Sequence, residues 1–236
     1  MKNIKAIIFD AYGTLFDVNS AAEKCKDKIG DKWEPFANFW RTTQLEYTWL
    51  RSLMQHYVDF WKVTQDALDY ALDSHGIEDS SLRQDLLNAY HELSCYPEVS
   101  ETLGKLKQQG LGTAILSNGA LEMLEAGVRS SHLEEVLDAI FSVDTIGIYK
   151  PSPQVYQLAT DKLACNPEDI LFFSSFLIYL ITFLLCILII SKNLYYTSNN
   201  FSSLALLYFT FFLTESEINF SVYLSSFFLI FALRKM

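Results

Sequence analysis

The sequence predicts an α/β fold: a parallel sheet covered by helices, with an inserted helical subdomain and a C-terminal tail of different composition. Three observations predict it. Short apolar runs alternate with stretches of helical periodicity, the sequence form of a parallel sheet. A long helical block follows the first run. Asp10, Ser117 and Ser174 each fall just past a strand's end, where open α/β sheets place their ligand crevice.

The elements follow in order. Residues 4–9 are an apolar, isoleucine-rich run that stops at Asp10, as a buried parallel strand does. From about 16 to 92 the pattern is helical: Trp33, Phe36, Phe39 and Trp40, then Leu45, Trp49, Leu53 and Tyr57, recur at three- and four-residue spacing. Strand patterns return at 111–116, about 139–143 and 170–173, with helices predicted over 99–109, 120–137 and 153–164 between them. The expected organisation is a core domain of residues 1–15 and 93–175, a helical cap subdomain over 16–92, and a tail over 176–236.

A chain of 236 residues can build one substantial core with an inserted subdomain. Its net charge of −10 and pI near 4.8 exclude a nucleic-acid surface, which needs a basic stripe. Cys25, Cys95, Cys165 and Cys186 lack metal-like spacing and read as free thiols of a reducing, cytoplasmic setting. The N-terminus has no h-region or cleavage site, so no signal peptide is expected. The averages hide a break. Residues 1–175 carry 15 Lys and Arg against 26 Asp and Glu, a net of −11, whereas 176–236 carry a net of +1 and no Gly, Pro, Asp, Trp or His.

Asp10 is the leading candidate for chemistry. A carboxylate at a strand end, before the turn that Gly13 permits and within hydrogen-bond reach of Thr14, is held in place and able to attack carbon or phosphorus. The alternative is an Asp that merely caps the turn. Arg41, in FWRTTQLEYTWLRSLM, is either an anion donor or a surface arginine lying over apolar neighbours. Ser117-Asn118-Gly119 offers a hydroxyl, an amide and backbone N–H groups to a carboxylate or phosphate, or is an ordinary strand-to-helix turn. Lys150 could balance the charge of Asp10. His56, His75, His91 and His132 have no partners at useful spacing and read as surface or core-edge residues.

At this point a resemblance becomes specific. The string DAYGTLFDV resembles the first motif of the haloacid dehalogenase superfamily, FWRTTQLEYTWLRSLM its type II (S)-2-haloacid dehalogenase cap helix, and SVDTIGIYKPSPQVYQLA its third motif. The resemblance implies a Rossmann-like core with an inserted helical cap. It implies Asp10 as nucleophile, Arg41 as halide acceptor, and Thr14, Lys150 and Ser174 as catalytic support. It places Ala11, Tyr12, Ser117, Asn118 and Tyr156 with Arg41 on the substrate. Phosphatases of the superfamily carry a second Asp two positions after the nucleophile, which protonates the leaving alcohol. Tyr12 stands there, and a phenol of pKa near 10 is a poor general acid at neutral pH. Halide needs no proton, so the expected reaction is hydrolysis of (S)-2-haloacids to (R)-2-hydroxyacids. Neither metal nor other cofactor is implied. The expected partner is a small-molecule 2-haloacid, and the resemblance also implies a homodimer.

The resemblance covers about residues 1–175. Beyond Ser174-Ser175 the family pattern has an Asn and, three residues later, an Asp that positions the hydrolytic water; here Phe176 and Tyr179 stand in those places. The tail that replaces the end of the core has three readings. Residues 170–190 are 21 without a charge, enough to span a bilayer, so a membrane contact is open only through residues 170–233. Alternatively the tail is translated noncoding sequence, which the abrupt change inside a motif favours, or a divergent folded end. The rival functional readings are a Mg2+-dependent phosphatase and a noncatalytic, membrane-associated protein.

Overall fold

Four strands run parallel: β1 (Ala6–Phe9), β2 (Gly112–Ser117), β3 (Ala139–Ser142) and β4 (Ile170–Phe173). The computed structural model describes residues 4–175 and Phe231–Ala232, all within one compact unit. The membrane span entertained over 170–233 and the sequence positions of Phe176 and Tyr179 lie almost wholly outside the described residues. Among the described residues, no helix is long and apolar enough to cross a membrane.

The sheet order is β3-β2-β1-β4-β5, where β5 (Phe231–Ala232) pairs antiparallel with β4. The chain leaves β1, adds β2 and β3 on one side, then crosses back to add β4 on the other. The order therefore reverses at β1, between β2 and β4, and the crevice of such a sheet opens at the carboxyl ends of the strands around that point. β1 is central, with Ile8 and Phe9 buried, and its register sets Phe9 opposite both Ile115 and Phe173. The next residue, Asp10, therefore sits level with Leu116 and Ser174.

Between β1 and β2 lie six helices: α1 (Ser20–Lys24), α2 (Lys26–Ile29), α3 (Trp33–Leu53), α4 (Phe60–Ser74), α5 (Ser80–His91) and α6 (Val99–Gln108). α3 tolerates Pro35 because it falls in the first turn, where the missing N–H has no helical partner to lose. Asp59 caps α4 by accepting from the Lys62 N–H, and Asp79 caps α5 by accepting from Ser81 and Leu82. These bonds hold the exposed Asp79 carboxyl below the usual range. α4 ends at Gly76, whose φ of 66° lets the Ile77 N–H return to the Leu72 carbonyl.

α7 (Leu121–Ser130) and α8 (Pro153–Leu163) cover the remaining crossovers. α7 is shorter than the expected 120–137. The periodicity continues through Leu133 and Leu137, which are buried, but the chain turns at His132, a non-glycine residue at φ 54°. The Leu133 N–H closes that turn on the Val128 carbonyl. Apolar spacing reports burial, and a tight turn packed on the core has the same spacing as a helix.

The four histidines are exposed or half-buried, as expected, and two of them meet aromatic rings. His75 sets its edge against the rings of Phe36 and Phe39 at 5.3 Å each, and His91 lies 4.0 Å from Trp61. Sequence spacing did not show these contacts because the partners come from other elements or from 36–39 residues upstream.

Candidate active site

The turn after β1 is built on one carbonyl. Ala11 O accepts from the N–H groups of Thr14, Leu15 and Phe16, and Gly13 takes a φ of 85° to close the loop. That turn leaves Asp10 pointing into the sheet end, where it is only 6% exposed. A carboxylate this buried must be paired or hydrogen-bonded, and Asp10 is both. One oxygen accepts from the Ala11 N–H at 2.8 Å and pairs with the Lys150 ammonium at 2.7 Å; the other accepts from the Ser174 hydroxyl at 3.0 Å. Lys150 is as buried as its partner, also donates to the Leu116 carbonyl, and lies over the Phe172 ring at 5.5 Å. Burial pulls its pKa below the ordinary lysine value and Arg41 adds to that, while Asp10 opposes it.

Tyr12 is buried, its ring stacked at 5.5 Å on Phe60 and at 5.7 Å on Tyr90. Burial, with Tyr90 and Asp10 adding to it, raises its pKa well above that of a free phenol, against the pull of Arg41. A proton bound that firmly is no help to a leaving group. Its backbone carbonyl has a use: it accepts from Arg41 Nη2 at 3.0 Å. The other terminal nitrogen, Nη1, is buried with no hydrogen-bond partner among the described residues. A buried cationic donor left unpaired is costly, and an anion placed beside Nη1 would pair it. Tyr90, which the sequence did not single out, stands beside the guanidinium. Burial raises its pKa while Arg41 lowers it, and its hydroxyl reaches Gln44 at 3.4 Å.

The Ser117-Asn118-Gly119 turn is more committed than expected. Ser117 is fully buried and its Oγ accepts from the Gly119 N–H, so that N–H is turned inward. Asn118 Oδ1 accepts from the Lys150 backbone N–H at 2.9 Å, which fixes its amide and leaves the NH2 as the free donor end. Tyr156 meets Phe172 edge-on at 5.6 Å; burial, with Asp10 adding, pushes its hydroxyl up to about 12. It is a neutral donor throughout the physiological range.

The expected hydrogen bond from Thr14 to Asp10 is not formed. The Thr14 hydroxyl bonds Ser175 instead, at 3.0 Å to the hydroxyl and 3.1 Å to the N–H. Ser175 also donates to the Gly13 carbonyl. The turn directs Thr14 away from the carboxylate and toward the chain leaving β4, so its support for Asp10 is indirect.

Gly119 has a steric role that its sequence context hides. A Cβ there would lie 2.5 Å from Tyr12 Cε2 and 3.0 Å from a Leu124 methyl. The Tyr12 ring cannot swing aside because Phe60 and Tyr90 flank it. Gly119→Ala is expected to cost about 1–3 kcal/mol of stability, read from the urea midpoint, and to slow halide release as the ring shifts.

Among the described residues, no group of three or more His, Cys, Asp and Glu side chains is placed to hold a metal ion.

The site joins an anchored, buried carboxylate to a guanidinium held on the next turn, and comparison with known proteins meets it there. A family model described as haloacid dehalogenase-like hydrolase matches residues 4–176. The chain belongs to the haloacid dehalogenase-like hydrolases. It is 52% identical to (S)-2-haloacid dehalogenase 1 of Pseudomonas sp. (strain CBS-3), over 74% of this chain and 78% of that relative. It is 48% identical to (S)-2-haloacid dehalogenase 4A of Burkholderia cepacia, over 73% of this chain and 75% of that one. A solved L-2-haloacid dehalogenase of Xanthobacter autotrophicus with chloropropionic acid covalently bound superposes with a TM-score of 0.67 at 44% identity, covering 72% of this hydrolase and 69% of that chain.

Proposed function

We propose that the chain hydrolyses (S)-2-haloacids to (R)-2-hydroxyacids through an ester on Asp10. The observation that carries the reading is the pair of Asp10, ionically held by Lys150, and Arg41, whose buried Nη1 has no hydrogen-bond partner among the described residues, with Tyr12 standing where a phosphatase would place its acid. An oxygen of Asp10 attacks C2 from the face opposite the halogen. The C–O bond forms as the carbon–halogen bond breaks, and halide departs with the electron pair toward Arg41. A guanidinium suits it, being always charged and loosely hydrated. Lys150 stays beside the carboxyl as its negative charge is consumed. The Ser117 hydroxyl and the Asn118 NH2 hold the substrate carboxylate, with Tyr156 as a further donor. Water then attacks the ester carbonyl carbon; its oxygen enters Asp10 as the acyl C–O bond breaks, one of its protons goes to the departing alkoxide to give the 2-hydroxyacid, and the other is released to solvent as the carboxylate is regenerated.

On this reading the helices of residues 16–92 form a cap that brings Arg41, with Phe60 and Tyr90 stacked on the Tyr12 ring, over the sheet end. The free thiols of Cys25, Cys95 and Cys165 fit a cytoplasmic setting. The phosphatase alternative lacks support at Tyr12, whose proton is held too firmly to protonate an alkoxide.

The second half-reaction is where this chain departs from its relatives' pattern, with Phe176 and Tyr179 at the positions of the Asn and the water-positioning Asp. Ester hydrolysis is therefore expected to limit turnover. With (S)-2-chloropropionate, chloride should appear as a burst of about one equivalent per chain, followed by a far slower steady state. Intact-mass measurement should find the ester on the peptide that contains Asp10. Linear chloride release from the first turnover, with no mass adduct, would overturn the limiting step; absence of any release would overturn the reaction.

A further inference from the structure

The residue before Lys150 is tied to the helical block more firmly than the proposed reaction requires. Tyr149 is fully buried; its hydroxyl donates to the Val58 carbonyl at 2.7 Å, and its N–H donates to Ser52 Oγ at 3.3 Å. Ser52 lies in the last turn of α3, and Val58 on the loop between α3 and α4. Tyr57, on that loop, packs on the Tyr149 ring at 5.0 Å and donates to Asp144 Oδ1 at 2.5 Å. Asp144 lies just past β3, and its second oxygen accepts from the Leu121 N–H at the start of α7. Ser142, two residues earlier, accepts from the Asp144 N–H and donates to the Gly119 carbonyl at 2.7 Å. Gly119 in turn donates to Ser117, and Asn118 accepts from the Lys150 N–H.

These bonds connect one loop of the helical block to both sides of the site. One branch runs through Tyr149 to Lys150. The other runs through Asp144 and Ser142 to the Ser117-Asn118 turn. The Asp144 carboxylate has both oxygens committed, one to each side of the junction, although it is neither buried nor part of the site. Tyr57 holds its proton firmly, since burial and the Asp144 bond both raise its pKa, so the bond persists across the working range of pH.

We propose that Tyr57, Asp144 and Tyr149 form a clasp that positions Lys150 against Asp10, and the Ser117-Asn118 turn against the substrate, when the helical block is seated on the sheet. The three are positioning residues that act through Lys150 and Asn118, and the proposal rests on the reading of Asp10 and Lys150 given above. The physical reason is preorganisation. An ammonium in the wrong place by a fraction of an ångström still pairs with a carboxylate, but it no longer follows the charge as the ester forms.

The test uses the full chain with (S)-2-chloropropionate, following chloride in the first turnover. Tyr57→Phe removes one hydroxyl and keeps the ring that packs on Tyr149, so the fold is retained; circular dichroism and the urea midpoint check this. First-turnover chloride release should fall about tenfold, while the half-saturating substrate concentration changes less than about twofold. The alkaline limb of the rate profile should move to higher pH. Lys150 is held down by burial and by Arg41 and raised by Asp10, and a looser, wetter Lys150 keeps its proton longer. Asp144→Asn should reproduce the loss, and the double variant Tyr57→Phe/Asp144→Asn should lose no more than either single one, as members of one connection do.

An unchanged rate and pH profile in Tyr57→Phe would overturn the clasp. So would losses that add in the double variant, or that track stability alone. If wild type releases no chloride, both the underlying reading and the clasp fall. If wild type releases it, Asp10→Asn does not, and Tyr57→Phe equals wild type, the clasp alone falls.

Discussion

Asp10→Asn is expected to lower chloride release by at least about four orders of magnitude, because a neutral amide oxygen cannot displace halide from C2. The variant also has a stability signature that belongs to Lys150. Asn keeps the shape of the side chain and can still accept from the Ala11 N–H, but the ammonium 2.7 Å away loses its counter-charge inside the protein. Breaking a buried pair by removing one partner costs about 3–5 kcal/mol, and the retained hydrogen bonds place this case near about 3 kcal/mol at neutral pH. The cost depends on pH in a known direction. In the unfolded chain Lys150 holds its proton to about pH 10.4. In the fold burial already lowers its pKa, and Asp10 is the influence that raises it. Without Asp10 the folded value drops further. Between the two values the unfolded state binds more protons, so stability rises with pH across that window. The gap in urea midpoint between Asp10→Asn and wild type should narrow as pH is raised from about 7 toward about 10. A gap that stays constant or widens would mean that Lys150 is not the group left unpaired. Chloride release that survives in the variant would remove Asp10 as nucleophile.

Arg41→Lys is expected to slow the first turnover about a hundred- to a thousandfold, the usual cost of losing one preorganised donor to a developing charge. The substitution keeps the positive charge, so a purely electrostatic role would be largely preserved. The structure argues for more than charge. Nη2 is anchored on the Tyr12 carbonyl, while Nη1 is buried on the same rigid plane with no hydrogen-bond partner among the described residues. A lysine has a single nitrogen and cannot both hold the carbonyl and meet the halide in a fixed geometry. The loss should depend on the leaving group: largest for 2-chloropropionate, smaller for the bromo acid, smallest for the iodo acid, since a better leaving group needs less help. Equal losses across the three would place Arg41 on substrate binding rather than on halide departure, and a parallel rise in the half-saturating concentration would say the same.

Much of the frame was legible. The four parallel strands stand within a residue or two of their expected places, because each is a short apolar run interrupted at the sheet end, and the two central ones, β1 and β2, are largely buried. Asp10 and Tyr12 were legible for the same reason. They lie in one string, DAYGTLFDV, whose local turn fixes them both. α7 was overread through 137 because Leu133 and Leu137 continue the helical spacing into a turn that carries no glycine to mark it. Proximity in sequence to Asp10 suggests a bond from Thr14 that the fold does not make. The turn on the Ala11 carbonyl sends the Thr14 hydroxyl to Ser175 instead. Tyr90 and Phe60 left no signal at all, since an aromatic at helical spacing reads only as core. Asp144 lay in full view within SVDTIGIYKPSPQVYQLA, but nothing about a single acid in a loop tells which two elements its oxygens will join.

The sequence by itself determined the carboxylate at the end of the first strand, the tyrosine two residues beyond it, and the break in composition after Ser175. Each is a property of neighbouring residues, set by a turn or by local composition. The tertiary structure alone decided the pairings that make the carboxylate usable: Ser174 with Asp10 across 164 residues, Arg41 with the Tyr12 carbonyl across 29, Tyr149 with Val58 across 91. Those separations are bridged by the sheet order, which reverses at β1, and by the seating of the helical block on the strand ends. Hydrogen bonds and ion pairs reach only about 3 Å, so which residues meet depends on how whole elements pack, and periodicity along the chain carries no record of that.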